Sequence, residues 1–128
     1  MRLLLDTHTL IWFFAGDFQL SSMARILIED EDNNKRASVA RSWEMAIKNS
    51  KNYLNFDLHF QEYIDQKLSW EDFNLLNINL EHLNAIVTMP FHHKDPFDRL
   101  LIAQAMLEVI PILSKDSAFD AYPINRIW

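Results

Sequence analysis

The chain has 128 residues, 49% of them hydrophobic, and a formal net charge of −6, enough for one globular core and too short for two ordinary domains. It contains no cysteine, which excludes disulfides, thiol nucleophiles, iron–sulfur clusters and thiolate zinc sites and leaves any metal to oxygen or imidazole ligands. No apolar run approaches the ~20 residues that cross a bilayer, so a soluble cytoplasmic protein with no membrane partner is expected, and the acidic balance argues against broad attraction to nucleic acid while leaving room for a local site.

The three leucines at 3–5, ending at Asp6, predict a strand buried on both faces in a parallel sheet. Residues 8–14 predict a short helix closed by Gly16 and Asp17. Its Trp12, Phe13 and Phe14 suit core or a subunit interface better than a base-stacking platform. Ser21 and Ser22 can cap a second helix with apolar positions at Met23, Ile26 and Leu27, ended by the acidic run 29–34. Residues 37–39 predict a second strand, followed from about Arg41 by a helix with Trp43, Ala46 and Ile47 on one side and Glu44 in its first turn. Tyr53, Leu54 and Phe56 fall in a loop or extended stretch, and residues 58–68 predict a helix with Phe60, Ile64 and Leu68 at spacings of four. A third strand is expected at 73–78 and a helix at 80–87, ended by Pro90. Asp95, Pro96 and Asp98 suit the cap, first and third positions of a helix through Leu107, so apolar that it must be buried. A fourth strand at 111–114 leads to Asp116, and residues 125–128 form a terminal edge strand. Strands separated by helices predict an α/β fold, a three-layer α/β/α sandwich around a central, mainly parallel sheet, as a single domain over 1–128.

Asp6, Glu44, Asp98 and Asp116 each follow or begin an apolar element. In a parallel sheet such positions gather at the carboxyl edge, where open α/β folds build their sites. Four like charges kept together imply Mg²⁺ or Mn²⁺ on oxygen ligands, a cluster suited to phosphodiester hydrolysis. The competing reading makes them helix caps and a dipole partner. Ser38 and Ser114, with Thr7 and Thr9, either orient a carboxylate or bind phosphate, or else satisfy loop amides. Arg99 positions a neighbouring acid, points at a substrate backbone, or makes a structural salt bridge. His92 and His93 diverge as neighbours and have no third imidazole at a suggestive spacing, so they fit loop solvation or RNA contact better than zinc. Arg41, Lys48, Lys51, Lys94 and Lys115 either rim the acidic edge and meet phosphates or are ordinary surface.

Four ordered blocks then carry a resemblance: Leu3-Leu4-Leu5-Asp6-Thr7-His8-Thr9-Leu10-Ile11-Trp12, Ser42-Trp43-Glu44-Met45-Ala46-Ile47-Lys48, His93 through Ala105 with Asp95-Pro96-Phe97-Asp98-Arg99 inside it, and Ser114 through Tyr122 with Asp116. Across essentially its whole length the chain resembles the PIN-domain ribonucleases, most closely the small VapC-type toxins of type II toxin–antitoxin pairs. The resemblance implies that Asp6, Glu44, Asp98 and Asp116 hold Mg²⁺ or Mn²⁺, with Asp6 and Asp98 nearest the ion and Asp95 as a helix cap or helper through water. It also implies a homodimer that cuts RNA endonucleolytically with metal-activated water, leaving a 5′-phosphate and a 3′-hydroxyl. A cognate antitoxin would occlude the site, and operator DNA would be bound only through the antitoxin complex. Relatives usually carry a small or hydroxyl residue three places before the glutamate, where this chain has Arg41; that cation salt-bridges the acids, contacts RNA phosphate or disturbs ion placement. The alternative is a non-catalytic PIN-like RNA- or protein-binding module. A Mg²⁺-dependent phosphatase of another α/β fold would want an Asp-x-Asp pair after the first strand and a Gly-rich phosphate loop, both missing here.

Overall fold

In the computed structural model, which describes residues 1–54, 59–70 and 73–128, the opening leucines form the middle strand of a five-stranded sheet. The strands β1 (Arg2–Leu5), β2 (Asn34–Ser38), β3 (Asn74–Leu76), β4 (Ile112–Leu113) and β5 (Arg126–Ile127) lie in the order β3-β2-β1-β4-β5, and every pairing is parallel. Between them run α1 (Thr7–Ala15), α2 (Ser22–Glu29), α3 (Val39–Ser50), α4 (Phe60–Trp70), α5 (Leu80–Thr88) and α6 (Pro96–Glu108), with a 3₁₀ turn at Ser117–Ala121.

Period-two alternation sends successive leucines to opposite faces. Leu4 packs with Ile112, Leu76 and the residues Leu101, Ile102 and Ala105 of α6, against which Ala85 and Ile86 of α5 close the layer. Leu3 and Leu5 pack the other way with Ala37, Leu113, Leu10 of α1 and Ala24 and Ile28 of α2. Helices on both faces of a parallel sheet make the α/β/α sandwich expected from the sequence, and each fully buried leucine contributes roughly 2 kcal/mol of apolar burial. Trp12, Phe13 and Phe14 lie half-buried over the second of these clusters, Trp12 edge-on to Trp128, Phe13 tilted against Phe73 and Phe14 edge-on to it. That fits the core reading rather than a stacking platform.

Several local expectations shift. The second strand begins at Asn34, opposite Arg2, rather than at residue 37, and ends where Ser38 caps α3 by accepting the Ala40 amide at 3.1 Å. Because α3 starts at Val39, Glu44 falls in its second turn rather than its first, and the buried face carries Ala40, Arg41, Glu44 and Met45. Trp43, expected inward, is 58% exposed and stands edge-on to Phe97. In α2 the buried positions are Ala24 and Ile28, whereas Met23 and Ile26 are 55% and 66% exposed. The strands expected at 73–78 and 111–114 contract to three and two residues. Phe56, Leu58 and the side chain of Leu68 lie outside the described residues. Among those that are described, no helix is long and apolar enough to cross a membrane.

Two helices end in the left-handed conformation. Gly16 (φ 65°) closes α1 and donates its amide to Phe13 and Trp12, a position that suits the residue without a Cβ. Val109 (φ 53°) does the same for α6, donating to Ala105, with its side chain 81% exposed. A β-branched residue in that region costs about 1–2 kcal/mol, and so exposed a side chain packs little to offset it. Val109→Gly is therefore expected to stabilise the fold by about 1 kcal/mol, a rise of roughly 4 °C in Tm; an unchanged or lower midpoint in thermal unfolding by circular dichroism would contradict the strain.

Candidate functional site

Parallel strands end at a common edge, and the residues following them meet there. Asp6, directly after β1, caps α1 by accepting the Thr9 amide on Oδ1 at 2.8 Å, while its Oδ2 accepts the hydroxyl of Ser114, which follows β4. The Ser114 oxygen also accepts the Asp116 amide at 3.0 Å, so adjacent strands deliver Asp6 and Asp116 to one place. Asp116 caps the 3₁₀ turn through the Ala118 amide and keeps a side chain that is 49% exposed. From the other side α6 enters at the same edge, with Asp95 accepting the amides of Phe97 and Asp98 and thereby fixing Asp98 in the first turn. Glu44 of α3 completes the group. Asp6, Thr7, Glu44, Asp95, Asp98 and Asp116 line a single cleft of about 190 Å³ together with His8, Arg41, Lys48 and Phe119. The four acids singled out by their position in the sequence are thus brought together, three of them also serving or neighbouring the caps that the competing reading assigned them.

Arg41 sits inside this cluster. It is 3% exposed and donates from Nη1 to Glu44 Oε1 at 2.8 Å and from Nη2 to Asp98 Oδ1, while its buried Nε has no partner. Glu44 also receives the Thr7 hydroxyl on Oε1 at 2.9 Å and Lys48 Nζ on Oε2 at 3.0 Å. Burial pushes the Glu44 carboxyl up, but the charge of Arg41 and the hydrogen bonds from Lys48, Thr7 and Arg41 outweigh it and hold the group below its ordinary value. For Asp98 burial prevails over Arg41 and, helped by the nearby charge of Asp95, leaves the carboxyl above its ordinary value. Burial also works against the Arg41 charge, yet Asp98, Glu44 and Asp6 more than restore it, so the guanidinium is held charged. Of the readings of Arg41, the salt bridge to the acids is the one seen, to both Glu44 and Asp98.

His93 joins the site although its adjacency to His92 had argued for a loop or RNA-contacting residue. Its Nε2 lies 3.1 Å from Asp98 Oδ2 and 3.7 Å from Asp116 Oδ2, and ligand atoms of the three residues all lie within 4.8 Å of one another. The two imidazoles do diverge: His92 packs edge-on to Tyr122 instead. What brings His93 in is its place two residues before the Asp95 cap, a signal available in the sequence once the cap is recognised. Arg99 takes none of the three roles expected of it. Buried beside Phe91, it donates to the carbonyls of Ile86, Met89, Pro90 and His93, pinning the loop that carries His93. Ser38 is turned away from the acids as well, donating to Gln104 Oε1 of α6 at 2.5 Å and thus fastening α3 to α6. Thr9 donates its hydroxyl to the Leu113 carbonyl. The basic residues form no single rim: Arg41 is buried, Lys48 is bound to Glu44, and Lys115 lies over the Trp12 ring.

Five carboxylates, Asp95 among them, against the cations Arg41 and Lys48 leave three negative charges in the cleft. An oxygen-rich donor set with one imidazole and that residual charge fits a hard or borderline divalent cation.

The family model of the PIN domain matches residues 3–125. No curated protein matches the sequence significantly. Among solved structures, the fold is similar to a chain of VapBC2 from Rickettsia felis bound to a DNA fragment from its promoter, with a TM-score of 0.75, 14% identity, and 99% of this chain and 98% of that one covered. A toxin–antitoxin complex from Klebsiella pneumoniae gives 0.69 at 20% identity, covering 98% and 96%. FitAcB from Neisseria gonorrhoeae gives 0.66 at 14% identity, also covering 98% and 96%.

Two predictions follow from the electrostatics. The depressed Glu44 carboxyl stabilises the fold fully above its ordinary value of 4.5, and that contribution is lost as pH falls through the depressed value. Metal-free Glu44→Gln is accordingly expected to lose stability less steeply over that acid window, and a pH profile of denaturant midpoints identical to the parent would contradict it. Replacing Arg99 by Met removes the donor of the Met89 and His93 carbonyls and is expected to cost about 3 kcal/mol, measured by urea unfolding; a cost under about 1 kcal/mol would mean that the loop is held by other contacts.

Proposed function

The chain belongs to the PIN-domain family, and from that premise we propose that it is a divalent-metal-dependent endoribonuclease, the toxin of a toxin–antitoxin pair, that hydrolyses RNA to 5′-phosphate and 3′-hydroxyl ends in the cytoplasm. The observation carrying this reading is the convergence of Asp6, Glu44, Asp98 and Asp116, from four separate stretches of sequence, into one cleft.

Mg²⁺ or Mn²⁺ bound among these carboxylates would supply a water of lowered pKa and stabilise charge gathering on the phosphate oxygens. The protein's own part is preorganisation. Thr9 and Ser114 hold Asp6 at both oxygens, Thr7 and Lys48 hold Glu44, and the Asp95 cap holds Asp98. Each carboxylate is thereby kept in place before substrate arrives. His8 and Lys94, exposed near the cleft and on the loop leading to it, are placed to meet the sugar–phosphate backbone of a single-stranded segment.

Protein partners are favoured by apolar side chains left in water, Phe18, Met23 and Ile26 around α2 and Leu80, Leu83 and Val87 along α5. Such surfaces suit a second copy in a homodimer and a cognate antitoxin; operator DNA would be reached only through the antitoxin complex. The similar structures from R. felis, K. pneumoniae and N. gonorrhoeae support the antitoxin assignment by fold. One observation favours the second reading, a non-catalytic RNA- or protein-binding module: Arg41 bridges Glu44 and Asp98, two of the acids a metal would use.

The two readings separate in one assay. Purified, antitoxin-free protein incubated with a cellular RNA pool and Mn²⁺ or Mg²⁺ is expected to give discrete products with 5′-phosphates. EDTA should abolish them, and Asp98→Asn, which keeps an oxygen for Arg41 but removes the charge, should lower the rate by about 100-fold or more. RNA binding without cleavage and indifferent to EDTA would establish the non-catalytic module.

A further inference from the structure

Arg41 is the residue of the cleft that RNA hydrolysis leaves least explained. Being 3% exposed, its guanidinium is not presented to a phosphate in solvent, and its two terminal nitrogens are committed to carboxylates on two different helices. Between Glu44 and Asp98 it does what a divalent ion does between paired acids: it offsets their repulsion and their loss of hydration. Unlike an ion it is covalently tethered and always charged. Glu44 is occupied further, since Thr7 donates to the same Oε1 as Arg41 and Lys48 lies 3.0 Å from Oε2.

Asp98 divides its two oxygens between different surroundings. Oδ1 faces Arg41, while Oδ2 faces His93 Nε2, which is also near Asp116 Oδ2. Ligand atoms of His93, Asp98 and Asp116 within 4.8 Å of one another are spaced to converge on one ion. The five carboxylates lining the cleft outnumber Arg41 and Lys48 and leave it net negative, as a cation site requires.

On the premise that the cleft is metal-dependent, we infer that Arg41 stands in for a divalent ion, so that the chain binds a single ion on His93, Asp98 and Asp116 while Glu44 is held by arginine rather than by metal. Arg41 is then a positioning residue, keeping Glu44 and Asp98 in register without metal. The imidazole among the ligands makes the site take Mn²⁺ ahead of Mg²⁺.

Mn²⁺ binding to the purified full chain, counted by the paramagnetic resonance of free Mn²⁺ without RNA, tests this directly. One Mn²⁺ per chain is expected in the wild type and two in Arg41→Ser, whose acids lose their resident cation. His93→Gln should weaken the single ion by at least about tenfold with an unchanged circular dichroism spectrum, and Mg²⁺ should compete poorly in the wild type. Two ions in the wild type, or unchanged affinity in His93→Gln, would overturn the inference; if Arg41→Ser does not fold, those two measurements decide alone. Two ions together with RNA cleavage would overturn this inference and leave the nuclease reading standing, whereas no Mn²⁺ bound at all would overturn both.

Discussion

All five strands run the same way, so every carboxylate that follows a strand, or begins a helix returning to that edge, has to share one small volume with the others. The cost of that arrangement is like-charge repulsion in partly buried surroundings, and the architecture around the cleft is organised against it. Hydroxyls from Thr7 and Ser114, amides from Thr9 and from the start of α6, and the cations of Arg41 and Lys48 each remove part of the charge or hold it in a fixed direction. Away from the edge the same strands do ordinary work: alternate leucines of β1 fill the two apolar layers and keep the sheet rigid beneath the acids.

Outside the cleft a group of buried polar contacts transmits that rigidity. Ser38 and Gln104 tie the helix bearing Glu44 to the helix bearing Asp98. Arg99 and the Tyr122 hydroxyl share the Pro90 carbonyl, and Tyr122 also accepts the His93 amide. Residues with no access to substrate thus set where His93 and the acids stand. Arg99 and Ser38 looked like candidate site residues because they neighbour acids or strand ends; they prove to be fasteners of the scaffold, which is what full burial of a polar group with complete hydrogen bonding ordinarily signifies.

Much of this was legible in the sequence. A run of leucines stopped by Asp6, the Asp95-Pro96 cap and the apolar helix behind it each state their structure locally, and the order of strands and helices leaves few parallel arrangements. The gathering of the four acids follows from that order. Less legible were the features set by contacts across the chain. Trp43 was grouped with Ala46 and Ile47 on one side of α3, yet it is exposed, while Ala40, Arg41, Glu44 and Met45 are buried and Arg41 bridges Glu44 and Asp98. The spacing of three between Arg41 and Glu44 showed that they share a face; it did not show that the face points into the cleft. His93 was obscured by reading it against His92 instead of against the cap that follows it. In α2 the inward positions are Ala24 and Ile28, one turn apart, with Leu27 packed partly beside them, whereas Met23 and Ile26 are exposed.

The bond between Asp6 and Ser114 joins residues 108 positions apart in the chain. Synthesis proceeds from the amino terminus, so the first acid of the cleft waits through nearly the whole of translation for the partner that fixes it. Closing so long a loop is also among the later and slower events in folding a parallel sheet. The cleft is therefore completed only after the polypeptide has advanced past β4, and no amino-terminal fragment that stops short of Ser114 can hold Asp6 at both oxygens.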